Sequence, residues 1–144
     1  MGRKKIRGEI TLIYIIDSSA LIAFLWKENG GLLVKDLISS LNNNCFIHAL
    51  NLCEVYYDFI KRTEVNKADE VINKVSNFLP VRYDIDTDFF KQAGKYKAEL
   101  HRISLADCFC LTLAKKVGGT VVTSDHHEFD KINALKIVPL LFIR

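Results

Sequence analysis

LIYIIDSSAL, residues 12–21, decides the fold. Leu12 to Ile16 form an unbroken apolar, strand-prone run that reads as a buried strand. The run ends in a carboxylate, Asp17, followed by two hydroxyls, Ser18 and Ser19. A buried strand closing on an acid holds that acid rigidly at the carboxyl edge of a sheet. One of the serines is read as the N-cap of a helix through ALIAFLWKE, residues 20–28.

Working outward, Gly30-Gly31 break the chain and LLVKDLISSL predicts a second helix. Asn42-Asn43-Asn44 predict a turn, and CFIHA a second strand. NLCEVYYDFIKR reads as a helix with Asn51 as its cap, and KADEVINKVSNFL as another that Pro80 ends. VRYDI is a short strand, and Thr87 caps a helix over DFFKQAGKYKAELH. In SLADCFCLTLAKKVGG, Ser104 caps, Lys115 and Lys116 fill the last turn, and Gly118-Gly119 stop the helix. TVVTSD is a strand closing on Asp125, and LKIVPLLFI supplies a last strand. Strands alternating with helices predict an α/β protein with a parallel sheet flanked by helices on both faces.

The 144 residues suit one core, with 49% hydrophobic and 26% charged residues. That balance excludes a disordered chain, and a formal charge of +3 does not by itself indicate a nucleic-acid partner. No apolar run reaches the roughly 20 residues of a membrane span. The start, MGRKKIRGEITLIYIID, has the basic head of a signal peptide. Its apolar run is short, however, ends at Asp17 and precedes no small-residue cleavage site. Position 6 is Ile, which argues against myristoylation. The protein is read as cytoplasmic, with Cys45, Cys53, Cys108 and Cys110 as reduced thiols.

Four acids stand out. Asp17 and Asp125 follow strands, Glu54 lies just inside the helix after the second strand, and Asp107 enters from a helix N-terminus. Asn51-x-x-Glu54 and Ser104-x-x-Asp107 also fit a capping-box spacing, and Asp17 and Asp125 fit loop acids. Capping accounts for an acid, but not for four aimed at one edge of one sheet, where open parallel sheets bind ligands. Packed carboxylates repel, and a divalent cation resolves the conflict. All-oxygen ligands favour Mg²⁺ or Mn²⁺ over Zn²⁺. The implied chemistry is metal-assisted hydrolysis of a phosphodiester.

The stretches IIDSSALIAFL, HALNLCEVYYDF, ISLADCFCLTLAKKVGGTVVTSDHHEFDKI and LKIVPL resemble the PIN domain, and more nearly the VapC-type toxins of toxin–antitoxin pairs. LADCFCLTLAKKVGGTVVTSDHHEFD is the most specific part. The resemblance implies an α/β/α sandwich over residues 11–144 behind a basic arm, residues 1–10, that is longer than the family's usual start. It implies a Mg²⁺- or Mn²⁺-dependent endoribonuclease acting on tRNA or rRNA, a homodimer, and a VapB-type antitoxin. Asp17, Glu54, Asp107 and Asp125 match the family's four acids, with Asp17 and Asp107 as the direct metal ligands. Glu128 and Asp130 lie close enough to replace or assist Asp125. A PIN nuclease of RNA processing without an antitoxin, and a non-catalytic RNA- or protein-binding module, are the competing functions.

Other residues carry weaker signals. His126-His127 read as exposed loop residues that touch RNA rather than as zinc ligands, and His48 as a satisfied core histidine. His101-Arg102, Lys61-Arg62 and Lys115-Lys116 read chiefly as solvated turns and helix ends, with phosphate contact as the alternative. Tyr56, Tyr57, Phe59, Phe89 and Phe90 read mostly as core, while Trp26 and its helix read as core or as an interface.

Overall fold

Five strands form one sheet in the order β3-β2-β1-β4-β5, every neighbouring pair parallel, in the computed structural model, which describes residues 11–144. The arm assigned to residues 1–10 lies outside the described residues. The strands are β1 (Leu12–Ile16), β2 (Asn43–His48), β3 (Val81–Arg82), β4 (Thr120–Thr123) and β5 (Leu140–Phe142). The helices are α1 (Ser18–Leu25), α2 (Gly31–Ser39), α3 (Ala49–Arg62), α4 (Val65–Phe78), α5 (Thr87–Glu99), α6 (Leu105–Val117) and α7 (His126–Leu135).

The two-residue period of a strand sorts the core into two halves. Ile15 and Val121 face a layer built from α5, α6 and α7, where Phe89, Leu111, Phe129 and Ile132 are buried. Ile16 and Val122 face the opposite layer of α1 to α4, with Leu21, Val34, Val55 and Val75. The result is the α/β/α sandwich that the alternating pattern predicts. Chain order runs outward from β1 through β2 to β3 on one side, and from β4 to β5 on the other. The order therefore reverses between β1 and β4, where a doubly wound sheet opens a crevice at its carboxyl edge.

Several boundaries differ from the sequence expectation, each for a local reason. Asn43 and Asn44 belong to β2, paired with Leu12 and Ile13, instead of to a turn. Asp17, not a serine, caps α1, its Oδ1 accepting from the Ala20 N–H. His48, not Asn51, caps α3, its Nδ1 accepting from Leu50 N–H at 3.1 Å, so the helix starts at Ala49. Asp86, not Thr87, caps α5. β3 stops at Arg82 because Asp84 folds back to accept two hydrogen bonds from the Arg82 guanidinium and one from Lys116. His126 and His127 open α7 rather than sit in a loop.

The α1–α2 turn is locked to the C-terminal strand. Gly30 has φ +87°, and a Cβ there would sit 2.5 Å from the Ile143 carbonyl oxygen. Gly30→Ala is predicted to cost about 2–3 kcal/mol, from the left-handed backbone and the clash together. Urea unfolding should show a lower midpoint with an unchanged m-value; a wild-type midpoint would contradict this close approach.

Candidate metal centre

Asp17 ends β1 at the point where the strand order reverses. Its backbone N–H donates to the Val122 carbonyl at 3.0 Å, which ties the end of β1 to β4. Its side chain is 1% exposed. Oδ1 accepts from Ala20 N–H at 2.8 Å and from the Ser19 hydroxyl at 2.8 Å. Ser19 Oγ in turn accepts from Ser124 N–H at 3.0 Å and lies 3.3 Å from the Thr123 hydroxyl, which accepts from Asp125 N–H at 3.0 Å. Ser19 and Thr123 thus couple the loop after β1 to the loop after β4. Thr123 carries no sequence flag beyond its spacing, two residues before Asp125.

Asp125 caps α7, its Oδ1 accepting from Glu128 N–H at 3.0 Å. This cap turns Glu128 back toward the sheet edge, where its Oε2 is buried without a hydrogen-bond donor. Asp107 lies in the first turn of α6, 6% exposed; Ser104 caps that helix by accepting from Asp107 N–H at 3.1 Å. Carboxylate oxygens of Asp107, Asp125 and Glu128 lie within 4.8 Å of one another. Glu54 approaches from α3, and its Oε1 accepts from the Ser18 hydroxyl at 3.0 Å. The serines behind Asp17 therefore hold carboxylates rather than cap α1.

These groups repel one another. Burial pushes the Asp17 carboxyl up to about 7, the charge of Asp125 adding to it and the bonds from Thr123, Ala20 and Ser19 only partly offsetting it. Burial also raises Glu54, with the charge of Glu128 acting in the same direction. Among the described residues, no Lys, Arg or His forms an ion pair with Asp17, Glu54, Asp107, Asp125 or Glu128. Cys110 lies among the same acids on α6, but burial and the charges of Asp17 and Glu54 push its thiol well above the ordinary value. The clustered donors, Asp107, Asp125 and Glu128, are carboxylate oxygens. An uncompensated, all-oxygen set with an orphaned buried carboxylate oxygen fits Mg²⁺ or Mn²⁺ and does not favour zinc.

The other singled-out residues point elsewhere. Asp130 pairs with His126 Nδ1 at 2.8 Å, and His126 Nε2 bonds the Arg144 carbonyl. His48 is 1% exposed and satisfied by Asp84 O and Leu50 N. Lys116 binds Asp84 at the far end of α6, nine residues and about 13 Å along the axis from Asp107. Arg62 is engaged by Asp58, Glu28 and the Trp26 ring, and Trp26 stacks on Phe59. Phe59 and Phe89 are core, whereas Tyr57 and Phe90 are 47% exposed.

A family model described as PIN domain matches residues 14–135. No curated protein matches the sequence. Among solved structures, DNA-bound VapBC from Salmonella typhimurium aligns with TM-score 0.71 at 22% identity, covering 93% of this chain and 100% of that one. VapBC2 from Rickettsia felis, bound to a promoter DNA fragment, aligns at 0.71 with 19% identity, covering 91% and 98%. VapBC-1 from nontypeable Haemophilus influenzae aligns at 0.70 with 16% identity, covering 92% and 98%. At these identities the likeness is one of fold.

The raised Asp17 carboxyl fixes a sign for stability. Folding lifts its pKa from 3.8 to about 7, so the folded protein binds the proton more tightly than the unfolded chain. The contribution of Asp17 to metal-free stability is then full below about pH 4 and is lost as pH rises through 7, by an amount on the order of 4 kcal/mol. Asp17→Asn keeps an acceptor for Ala20 N–H and removes the charge. At pH 8 in EDTA the variant should melt above wild type, by about 2–4 °C for each kcal/mol recovered. Mn²⁺ should raise the melting temperature of wild type alone. A variant that melts lower in EDTA, or that gains equally from Mn²⁺, would contradict the crowding.

Proposed function

This chain belongs to the PIN domain family, and we propose that it is a Mg²⁺- or Mn²⁺-dependent endoribonuclease, the toxin of a toxin–antitoxin pair. The observation that carries the proposal is the cluster of Asp107, Asp125 and Glu128, whose charges reach the buried Asp17 at the reversal point of the parallel sheet and Glu54 on α3, without a compensating cation among the described residues. Solved structures of VapBC toxin–antitoxin systems that share the fold support the toxin reading.

In this reading Asp17, Asp107 and Asp125 hold the metal, with Glu128 completing the set. A bound Mg²⁺ or Mn²⁺ neutralises phosphate charge and acidifies a water at neutral pH. The residues of the chain do the rest. The β1–β4 backbone tie and the Ser19–Thr123 hydroxyls fix Asp17 and Asp125 relative to each other, so little reorganisation is needed when the site is charged. Ser18 holds one oxygen of Glu54 and leaves the other to accept the proton of the attacking water; burial raises Glu54 toward the range such a base requires. The N-terminus of α6 adds a partial positive charge beside the scissile phosphate.

The partner proposed on this basis is a VapB-type antitoxin that inserts a basic side chain among the carboxylates, replacing the missing countercharge. The proposed working form is a cytoplasmic homodimer; no helix among the described residues is long and apolar enough to cross a membrane. The substrate is proposed to be tRNA or rRNA.

The test incubates purified protein with a mixed tRNA and rRNA pool in Mg²⁺, Mn²⁺ or EDTA, beside an Asp17→Asn/Asp107→Asn double variant. Cuts should require metal and fall at least about a hundredfold in the variant. Cleavage that survives in the variant would overturn the site. A folded, metal-binding protein that cuts DNA but no RNA would move the activity to another nuclease class. Failure to bind metal at all would leave a binding module.

A further inference from the structure

Asn51 is the residue that neither the fold nor the proposed chemistry absorbs. With His48 capping α3, Asn51 lies inside the first turn and is 0% exposed. Both Nδ2 and Oδ1 are buried without a hydrogen-bond partner. Among the described residues Trp26 shares that state through its single Nε1, while Asn51 has two such atoms, a donor and an acceptor. Leaving a buried polar group unpaired costs on the order of 1–3 kcal/mol, and an apolar residue of the same size would avoid the cost. The neighbouring buried positions of α3, Leu52, Val55 and Phe59, are all apolar.

Its location supplies a reason. Asn51 precedes Glu54 by three residues, so the two share one side of α3 a single turn apart. At that spacing the amide is near enough to favour the charged form of Glu54, although no hydrogen bond closes between them. Ser18, on α1, already donates to Oε1 of Glu54 at 3.0 Å. Glu54 thus has one closed donor from α1 and one poised donor from its own helix.

We propose that Asn51 is a positioning residue of the metal centre, a buried amide that closes an Nδ2–H···O bond to Glu54 when that residue is held as a carboxylate beside a divalent cation. The role rests on the metal-site reading but not on RNA being the substrate. Asn51 contacts neither substrate nor metal. It fixes the angle at which Glu54 presents its second oxygen and satisfies its own donor in the same bond. The stability lost to the unpaired amide in the metal-free protein is recovered in the metal-bound one.

The test is a calorimetric Mn²⁺ titration of the full chain as wild type, Asn51→Leu and Asn51→Ala, with metal-free melting temperatures alongside. Leu fills the volume without the polar atoms, and Ala removes the donor without adding bulk should Leu overpack. Both variants should bind Mn²⁺ about tenfold more weakly or worse. In EDTA, Asn51→Leu should melt at or above wild type, an outcome that a purely structural amide would not give. If wild type cleaves RNA, kcat should fall in both variants with KM unchanged. Wild-type Mn²⁺ affinity in both variants overturns the role of Asn51 and leaves the metal centre standing. A wild type that takes up no Mn²⁺ sinks the metal centre, and the role of Asn51 with it.

Discussion

Mutual repulsion of buried carboxylates is the constraint around which this molecule is arranged. Asp17, a group with a natural pKa near 4, is held 1% exposed at the end of a core strand and pushed to about 7. Asp107, Asp125 and Glu128 crowd within 4.8 Å, and Glu54 feels the charge of Glu128. A folded chain keeps such an arrangement only where the surrounding structure over-determines it. Here the determinants are a main-chain bond, from Asp17 N–H to Val122 between β1 and β4, and the paired side-chain hydroxyls of Ser19 and Thr123.

Helix N-termini supply the partial relief available without a metal. Asp17 caps α1, Asp125 caps α7, and Asp107 lies in the first turn of α6. Each acid therefore sits where unpaired N–H groups and the helix dipole favour negative charge. Capping and metal binding are not rival explanations for these residues. The caps make the acids tolerable in the metal-free fold and, by engaging only one oxygen of Asp17 and of Asp125, leave the other available to a cation.

Much of this was legible in the sequence. The apolar run Leu12–Ile16 and the signals of α6, Ser104 at one end and Gly118 at the other, depend on local chemistry that tertiary packing reinforces. Asp17, Asp107 and Asp125 were visible because each sits at a strand or helix boundary, whereas Glu54 lies in the second turn of α3. What was not legible depends on contacts remote in sequence. Whether Ser18 caps a helix or holds a carboxylate is decided by Glu54, thirty-six residues away. Asn51 has the residue type and spacing of a cap, yet His48 takes the role because its ring is fixed by the Asp84 carbonyl. β3 is cut short by an ion cluster that includes Lys116 from α6. α7 escaped notice because polar residues, not an apolar stripe, dominate its first turn.

The central claim is that the carboxylates at the β1–β4 edge are built for a divalent cation, and crystals grown or soaked with Mn²⁺ and measured at a wavelength where manganese scatters anomalously test it most directly. An anomalous peak bounded by Asp17, Asp107 and Asp125, with the otherwise unpartnered Glu128 Oε2 turned toward it, is the predicted result. Crystals of folded protein that hold manganese only at surface acids such as Asp130, with the Asp17 side chain unchanged and no peak beside it, would contradict the account.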